Sequence, residues 1–214
     1  LMVLGDFTLK PVTAGTLLLD GGAMFGVVPK ALWSKTNPAD DRNRIAMHMR
    51  TLYIEGKGHR ILIDSGAGTK LDRKMRDNYG IECEDFGTVL RREGIDPESI
   101  TDVISTHLHF DHAGGLTYYD SGGELKLTFP GAVHHIQRKQ WEAAADPNEK
   151  DRASFFGENF VPVLEKGRLS LTEGEKEIVP GVRVMPPEGH TPGHQVVRLE
   201  TKEGNLLSCG DLLP

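Results

Sequence analysis

Cysteine is nearly absent: Cys83 and Cys209 are the only two, and neither belongs to a Cys-x-x-Cys pair. That excludes a disulfide framework and fits a reducing compartment. Long apolar runs are missing too, so no stretch reaches the length that spans a bilayer. Asp6 and Lys10 stand where a signal peptide needs an apolar core, and the expected location is cytoplasmic. Basic charge is also short, with a net charge of −6. Nucleic acid and anionic membranes require basic surfaces, so neither is an expected partner. Internal repeats and low-complexity tracts are absent. What remains, 214 residues of which 26% are charged and 38% hydrophobic, suits one domain over 1–214 with a sizeable core.

One segment is dense in metal-ligand chemistry. Residues 107–115 read His-Leu-His-Phe-Asp-His-Ala-Gly-Gly, directly after the β-branched, apolar run Thr101–Thr106. Such a run reads as a buried strand, so His107, His109, Asp111 and His112 hang from its end. His107 and His109, two apart, point the same way from extended backbone, while Asp111 and His112 follow one turn later. A lone histidine is usually a structural residue, which covers His48, His59, His134 and His135. Four ligand-type side chains within six positions do not share that explanation.

Along the chain, Phe7–Val12 and Thr16–Leu19 read as short strands separated at Ala14-Gly15. An irregular connection from Asp20 to Asn43 carries Met24, Phe25 and Trp33, candidates for a substrate-binding wall or a subunit contact. Arg50–Ile54 and Arg60–Ile63 pair as a hairpin across Gly56-Lys57-Gly58. The second of these strands ends at Asp64, placed to orient a metal-binding imidazole or to cap a turn. Lys70–Tyr79 and Asp85–Glu93 read as helices closed by Gly80 and Gly94. Ala132–Ile136 reads as a strand and Gln137–Ala145 as a helix, followed by an irregular stretch over Asp146–Phe160. There Phe155, Phe156 and Phe160 are available for a pocket wall. Val182–Met185 leads into Gly189-His190-Thr191-Pro192-Gly193-His194. A last hairpin, Val196–Glu200 with Asn205–Cys209, ends at Gly210-Asp211.

Three strand ends thus present ligands. His107, His109 and His190 are assigned to a first metal, Asp111 and His112 to a second, and Asp211 bridges both. His194 reads as a supporting residue rather than a ligand. Nitrogen and oxygen donors without thiolate suit two divalent ions, zinc foremost, with iron or manganese also compatible.

The pattern His-x-His-x-Asp-His at 107–112, the later Gly-His-x-x-Gly-His at 189–194 and Gly210-Asp211 resemble the metallo-β-lactamase superfamily. Spacing agrees, with 78 positions from His112 to His190 and 21 from His190 to Asp211. The stretch 20–30, followed by Leu32-Trp33, together with Thr-His-Leu-His-Phe-Asp-His at 106–112, is similar to the YtnP-type branch. That branch is grouped with quorum-quenching N-acyl homoserine lactonases.

The resemblance implies an α/β fold: an αββα sandwich of two mixed sheets flanked by helices, with the metals at one edge. It implies a hydrolase in which a metal-activated hydroxide opens a lactone or ester, Asp111 relays a proton, and homodimers form. A phosphotriesterase, a thioesterase of the glyoxalase II kind and a non-catalytic metal scaffold or fragment are the alternatives. Two departures stand out. The family pattern carries a further His well past the bridging Asp, so the chain is expected to be truncated within the second half of the fold. The lactonases also place a Tyr three positions after that Asp, where this sequence has Pro214.

Overall fold

The runs on either side of Ala14-Gly15 are one strand. In the computed structural model, which describes residues 1–213, β1 (Met2–Leu4) is followed by β2 (Phe7–Asp20), a strand of 14 residues. Its pairing shifts register between Thr13 and Gly15. A bulge inserts a residue and bends the strand without ending the ladder, so the expected break is a bend. Next come α1 (Gly21–Phe25), α2 (Lys30–Trp33), β3 (Arg44–Gly56), β4 (His59–Ile63), α3 (Arg73–Tyr79) and α4 (Phe86–Arg92). The middle of the chain supplies β5 (Asp102–Ile104), α5 (Phe110–Ala113), β6 (Thr117–Tyr119), β7 (Leu125–Leu127), β8 (Val133–Gln137) and α6 (Arg138–Ala145). It closes with α7 (Gly157–Glu165), β9 (Leu169–Thr172), β10 (Lys176–Val179), β11 (Val182–Met185), β12 (Val196–Thr201) and β13 (Gly204–Ser208).

Two sheets dominate. The larger has seven strands in the order β1-β2-β3-β4-β5-β8-β9. Its first four are antiparallel and the pairs from β4 to β9 are parallel. The second, β10-β11-β12-β13, is antiparallel among the described residues rather than mixed. Tight turns force this: Pro180-Gly181 and Lys202-Glu203 join its outer pairs, and a parallel neighbour needs a long crossover. Parallel strands β4 and β5 end at the same edge, where open sheets place their ligands.

Alternation along the strands makes the layers. Ile61, Ile63 and Ile104 face the second sheet, joining Val182, Val184, Val197 and Leu199 in a core drawn entirely from strands. Leu62 and Val103 point the other way, to a core shared with Phe86, Leu90, Ala144 and Phe160 of the helices. Asp72 caps α3 by accepting from Met75 N, and Gly80 closes that helix in the left-handed region at φ 52°. Asp85 caps α4 in the same way through Thr88 N.

Helix α7 begins inside the stretch read as irregular and carries Pro162 in its interior. Proline removes an N–H that would reach the carbonyl four residues back. That carbonyl belongs to Glu158, and the Thr117 hydroxyl donates to it at 2.8 Å. A partner distant in sequence makes the proline tolerable.

Candidate metal centre

Asp64 anchors the site. Just past β4 it adopts φ +61°, a left-handed conformation that costs about 1–2 kcal/mol for a residue with a Cβ. Its backbone N–H donates to Ile104 O at 3.1 Å. Its carboxylate accepts from Thr106 N at 2.7 Å and from Thr106 Oγ1 at 2.8 Å. The same group faces His112 Nδ1 at 3.0 Å. With its proton donated to Asp64, the Thr106 hydroxyl is free to accept from His107 Nδ1, 3.1 Å away. One carboxylate therefore favours, directly and through a hydroxyl, the tautomers that leave Nε2 of His112 and of His107 with exposed lone pairs.

Those lone pairs converge. His190 Nε2 lies 3.2 Å from His107 Nε2 and 3.1 Å from His109 Nδ1. Nitrogens about 2.0–2.1 Å from a tetrahedral ion sit about 3.3 Å apart, so this spacing is that of a ligand set. Asp211 reaches towards both halves, with Oδ1 3.1 Å from His112 Nε2 and Oδ2 3.5 Å from His190 Nε2. The geometry gives two ligand groups, His107–His109–His190 and His107–His112–Asp211, each with donor atoms within 4.8 Å of one another. Asp111 stands further off, its Oδ2 3.8 Å from His112 Nε2. The donors fit divalent cations.

Electrostatics divide the cluster. Burial, followed by the imidazoles of His112, His109 and His190, pushes His107 well below the usual histidine range. Burial likewise lowers His109 to about 4, and lowers His190. All three shifts favour the neutral ring that a ligand must be. His112 goes the other way: burial opposes its charge, yet the carboxylates of Asp111, Asp64 and Asp211 together outweigh it and raise its pKa well above the ordinary value. Burial tends to raise Asp211, but its bond to His112 and the surrounding imidazoles bring it down to about 2. Burial and the Asp211 charge raise Asp111. A cation and a proton therefore compete for His112 Nε2.

The pieces are held by backbone contacts that sequence reading overlooks. Gln195 is fully buried, and its N–H donates to Thr106 O at 2.8 Å. Its side-chain amide donates to Ser105 O at 2.8 Å and to His135 O at 3.2 Å. Those bonds lock the segment bearing His190, itself at φ +56°, to the end of β5. Gly114 and Gly115 lie against the turn after Asp64, where Gly115 N donates to Gly66 O at 3.0 Å. Exchanging Asp64 for Asn replaces one acceptor oxygen with a donor beside His112. Metal affinity should fall roughly 10–100-fold, read by competition with a chromophoric chelator; unchanged affinity would remove Asp64 from the support of the site.

A cavity of about 520 Å³ opens beside this edge, lined by Met24, Leu52, Asp64, Asp111, His112, His190 and Asp211 among others. Phe25 and Trp33 do not line it. They stack on each other at 5.1 Å, and Trp33 is buried over Gly21. Phe155 packs on the His109 ring at 4.9 Å, Phe156 on Phe110 and Phe160 on Trp141. His194 is fully buried behind the cluster, its ring 5.2 Å from that of His107. Neither of its ring nitrogens has a hydrogen-bond partner among the described residues. Of the histidines read as structural, His135 binds Asp102 at 2.8 Å, whereas His48 lines the cavity. Position 214, where the lactonases carry Tyr, lies outside the described residues.

Stacked sheets with imidazoles and carboxylates gathered at one edge define a metal-binding α/β sandwich. The profile of the Metallo-beta-lactamase superfamily matches residues 50–214, and the chain belongs to that superfamily. An N-acyl homoserine lactonase of Bacillus cereus is 38% identical over 120 residues, covering 56% of this chain and 41% of the relative. The N-acyl homoserine lactonase AttM of Azorhizobium caulinodans is 31% identical over 173 residues, covering 73% of this chain and 61% of the relative. The chain thus spans less than two thirds of the length of these relatives. A solved probable metal-dependent hydrolase from Staphylococcus aureus is similar at TM-score 0.90 and 34% identity, covering 100% of this chain and 76% of that one. A solved quorum-quenching N-acyl homoserine lactone lactonase is similar at TM-score 0.70 and 26% identity, with coverage of 96% and 74%.

Proposed function

We propose that the protein is a metal-dependent hydrolase of lactones or esters, of the N-acyl homoserine lactonase kind. The observation that carries this reading is the convergence of His107, His109 and His190 beside Asp211 and His112, at the mouth of a cavity with apolar walls. His107, His109 and His190 would hold one divalent cation, and His112 and Asp211 a second, with zinc the expected metal. When bound, such a pair lowers the pKa of water towards ~7 and polarises a carbonyl. Water then adds across the acyl–oxygen bond, giving a carboxylic acid and an alcohol. Asp111, raised by burial, would pass a proton from the attacking water to the departing oxygen. Met24 and Leu52 give the acyl part an apolar surface.

Lactonase relatives and the nitrogen–oxygen donor set support this choice. The test is a panel of N-acyl homoserine lactones, aryl esters, phosphotriesters and S-lactoylglutathione, offered to metal-loaded protein. Lactones should give the highest kcat/KM. A preference for S-lactoylglutathione or phosphotriesters would replace the reading, and no turnover of any member would end it.

A further inference from the structure

We infer that Arg50 makes the cavity selective for substrates carrying a carboxylate at the far end of their acyl part. This inference rests on the hydrolase reading and adds the charge of the substrate to it. Alternation along β3 supplies the geometry. Its odd positions Ile45, Met49, Thr51 and Tyr53 are buried, while Ala46, His48 and Arg50 are exposed. Leu52 and Ile54, of the same parity as Arg50, pack into the core between the two sheets. The even positions therefore share the face that looks towards the second sheet. Beyond Leu52 the strand continues as the cavity wall, where every residue from Met47 to Leu52 contributes to the lining and Arg50 and His48 lie on this face.

Distance along the strand places Arg50 next to the reaction edge. Leu52 pairs with Ile63, the residue before Asp64. One step of two residues along an extended strand covers about 6.5–7 Å, so Arg50 stands one step out from the metal edge and His48 two. A carbonyl held at the cations would leave an acyl chain of a few carbons to run along this wall towards the guanidinium.

Charge completes the argument. Arg50 is the only lysine or arginine lining the cavity among the described residues. No carboxylate lies within ion-pair distance of it there, whereas Arg44, Arg60, Arg92 and Arg138 each have one. The carboxylates lining the cavity are Asp64, Asp111 and Asp211; Asp64 and Asp211 are bonded to His112, and Asp111 lies beside it. In a chain of net charge −6, an unpaired guanidinium on the wall of a cavity is a positive spot for an anionic oxygen pair, which its planar donors match in two-point fashion.

The experiment uses metal-loaded protein and three matched pairs of lactones: N-succinyl with N-butanoyl, N-glutaryl with N-pentanoyl, and N-adipoyl with N-hexanoyl homoserine lactone. Each pair has equal carbon count and differs in the terminal carboxylate. At low salt, the acidic-to-neutral ratio of kcat/KM should exceed one by about three- to tenfold at one chain length. It should shrink with added salt. In R50Q the ratio should fall to about one, in R50E below one, and R50K should keep part of it. Because the ratio is taken within each sample, a misfolded fraction cannot imitate the result. A ratio at or below one in the unaltered protein, or one unmoved by R50Q, overturns the inference. If none of the lactones is hydrolysed, the lactonase reading fails by itself, and calorimetry on the same intact lactones decides. Tighter binding of the acidic partner that R50Q abolishes supports the role of Arg50; equal or absent binding overturns it.

Discussion

Alanine at position 109 should strip the protein of retained metal and lower kcat/KM on the order of 10³-fold or more. His109 Nδ1 is one of three ring nitrogens that meet at about one point, 3.1 Å from its neighbour on His190. Its neutral state is secured by burial, which holds its pKa near 4, so no proton competes for the lone pair near neutral pH. Removing it leaves His107 and His190, too few to fix the ion's geometry. Polarisation by a bound cation is worth several kcal/mol of transition-state stabilisation, hence the size of the expected loss. Asp211→Ala should have a comparable effect, since its two oxygens reach His112 and His190 from opposite ends. Elemental analysis after dialysis, paired with steady-state kinetics, gives the check. Full activity in protein that retains no metal would refute the proposed chemistry.

Gly114→Ala should be the most damaging substitution for folding. A Cβ there would lie 1.9 Å from Ala67 O and 2.3 Å from its carbonyl carbon, both backbone atoms. No rotamer change relieves such an overlap; either the loop after α5 or the turn after Asp64 must move. Overpacked cores lose about 1–3 kcal/mol when side chains can adjust, and here only backbone is available, so a loss of at least about 3 kcal/mol is expected. Gly115 is similarly confined, with Ser65 O 2.2 Å from its would-be Cβ. Urea unfolding of metal-free protein isolates the packing effect from any loss of cation. Gly122→Ala, on an exposed turn where only the Asp120 carboxylate comes within 3.3 Å, should change stability little and serves as the control. Equal stability of Gly114→Ala and the unaltered protein would show that this contact is looser than described.

The metal edge was legible because ligand chemistry is local. His107, His109, Asp111 and His112 crowd one segment, and the strand before them fixes their common end. His190 and Asp211 were found by the same logic of donors at strand ends. What escaped was long-range. Gln195 works by bonding backbone at Ser105 and His135, and no periodicity marks an amide for that task. Helix α7 starts inside a stretch read as irregular, and the hydroxyl of Thr117 that makes its Pro162 tolerable is 41 positions from the carbonyl it serves. Phe25 and Trp33 looked like a wall because they are aromatic and close in sequence; instead they satisfy each other, with Trp33 filling the space that Gly21 leaves open. His48 read as a structural histidine and Arg50 as a hairpin residue, since a strand's face is decided only when its neighbours are placed. Of the antiparallel second sheet the last hairpin was legible, but not the pairing of β10 with β11 or of β11 with β12.

The ribbon of β2 and β3 has one more consequence. It supplies Pro11, His48, Arg50 and Leu52 to the cavity and none of the cation donors. On the proposed reading, recognition and bond-breaking would be written in separable stretches of the gene. Mutations that recolour the ribbon would then redirect the protein to new molecules while the reactive edge is inherited unchanged.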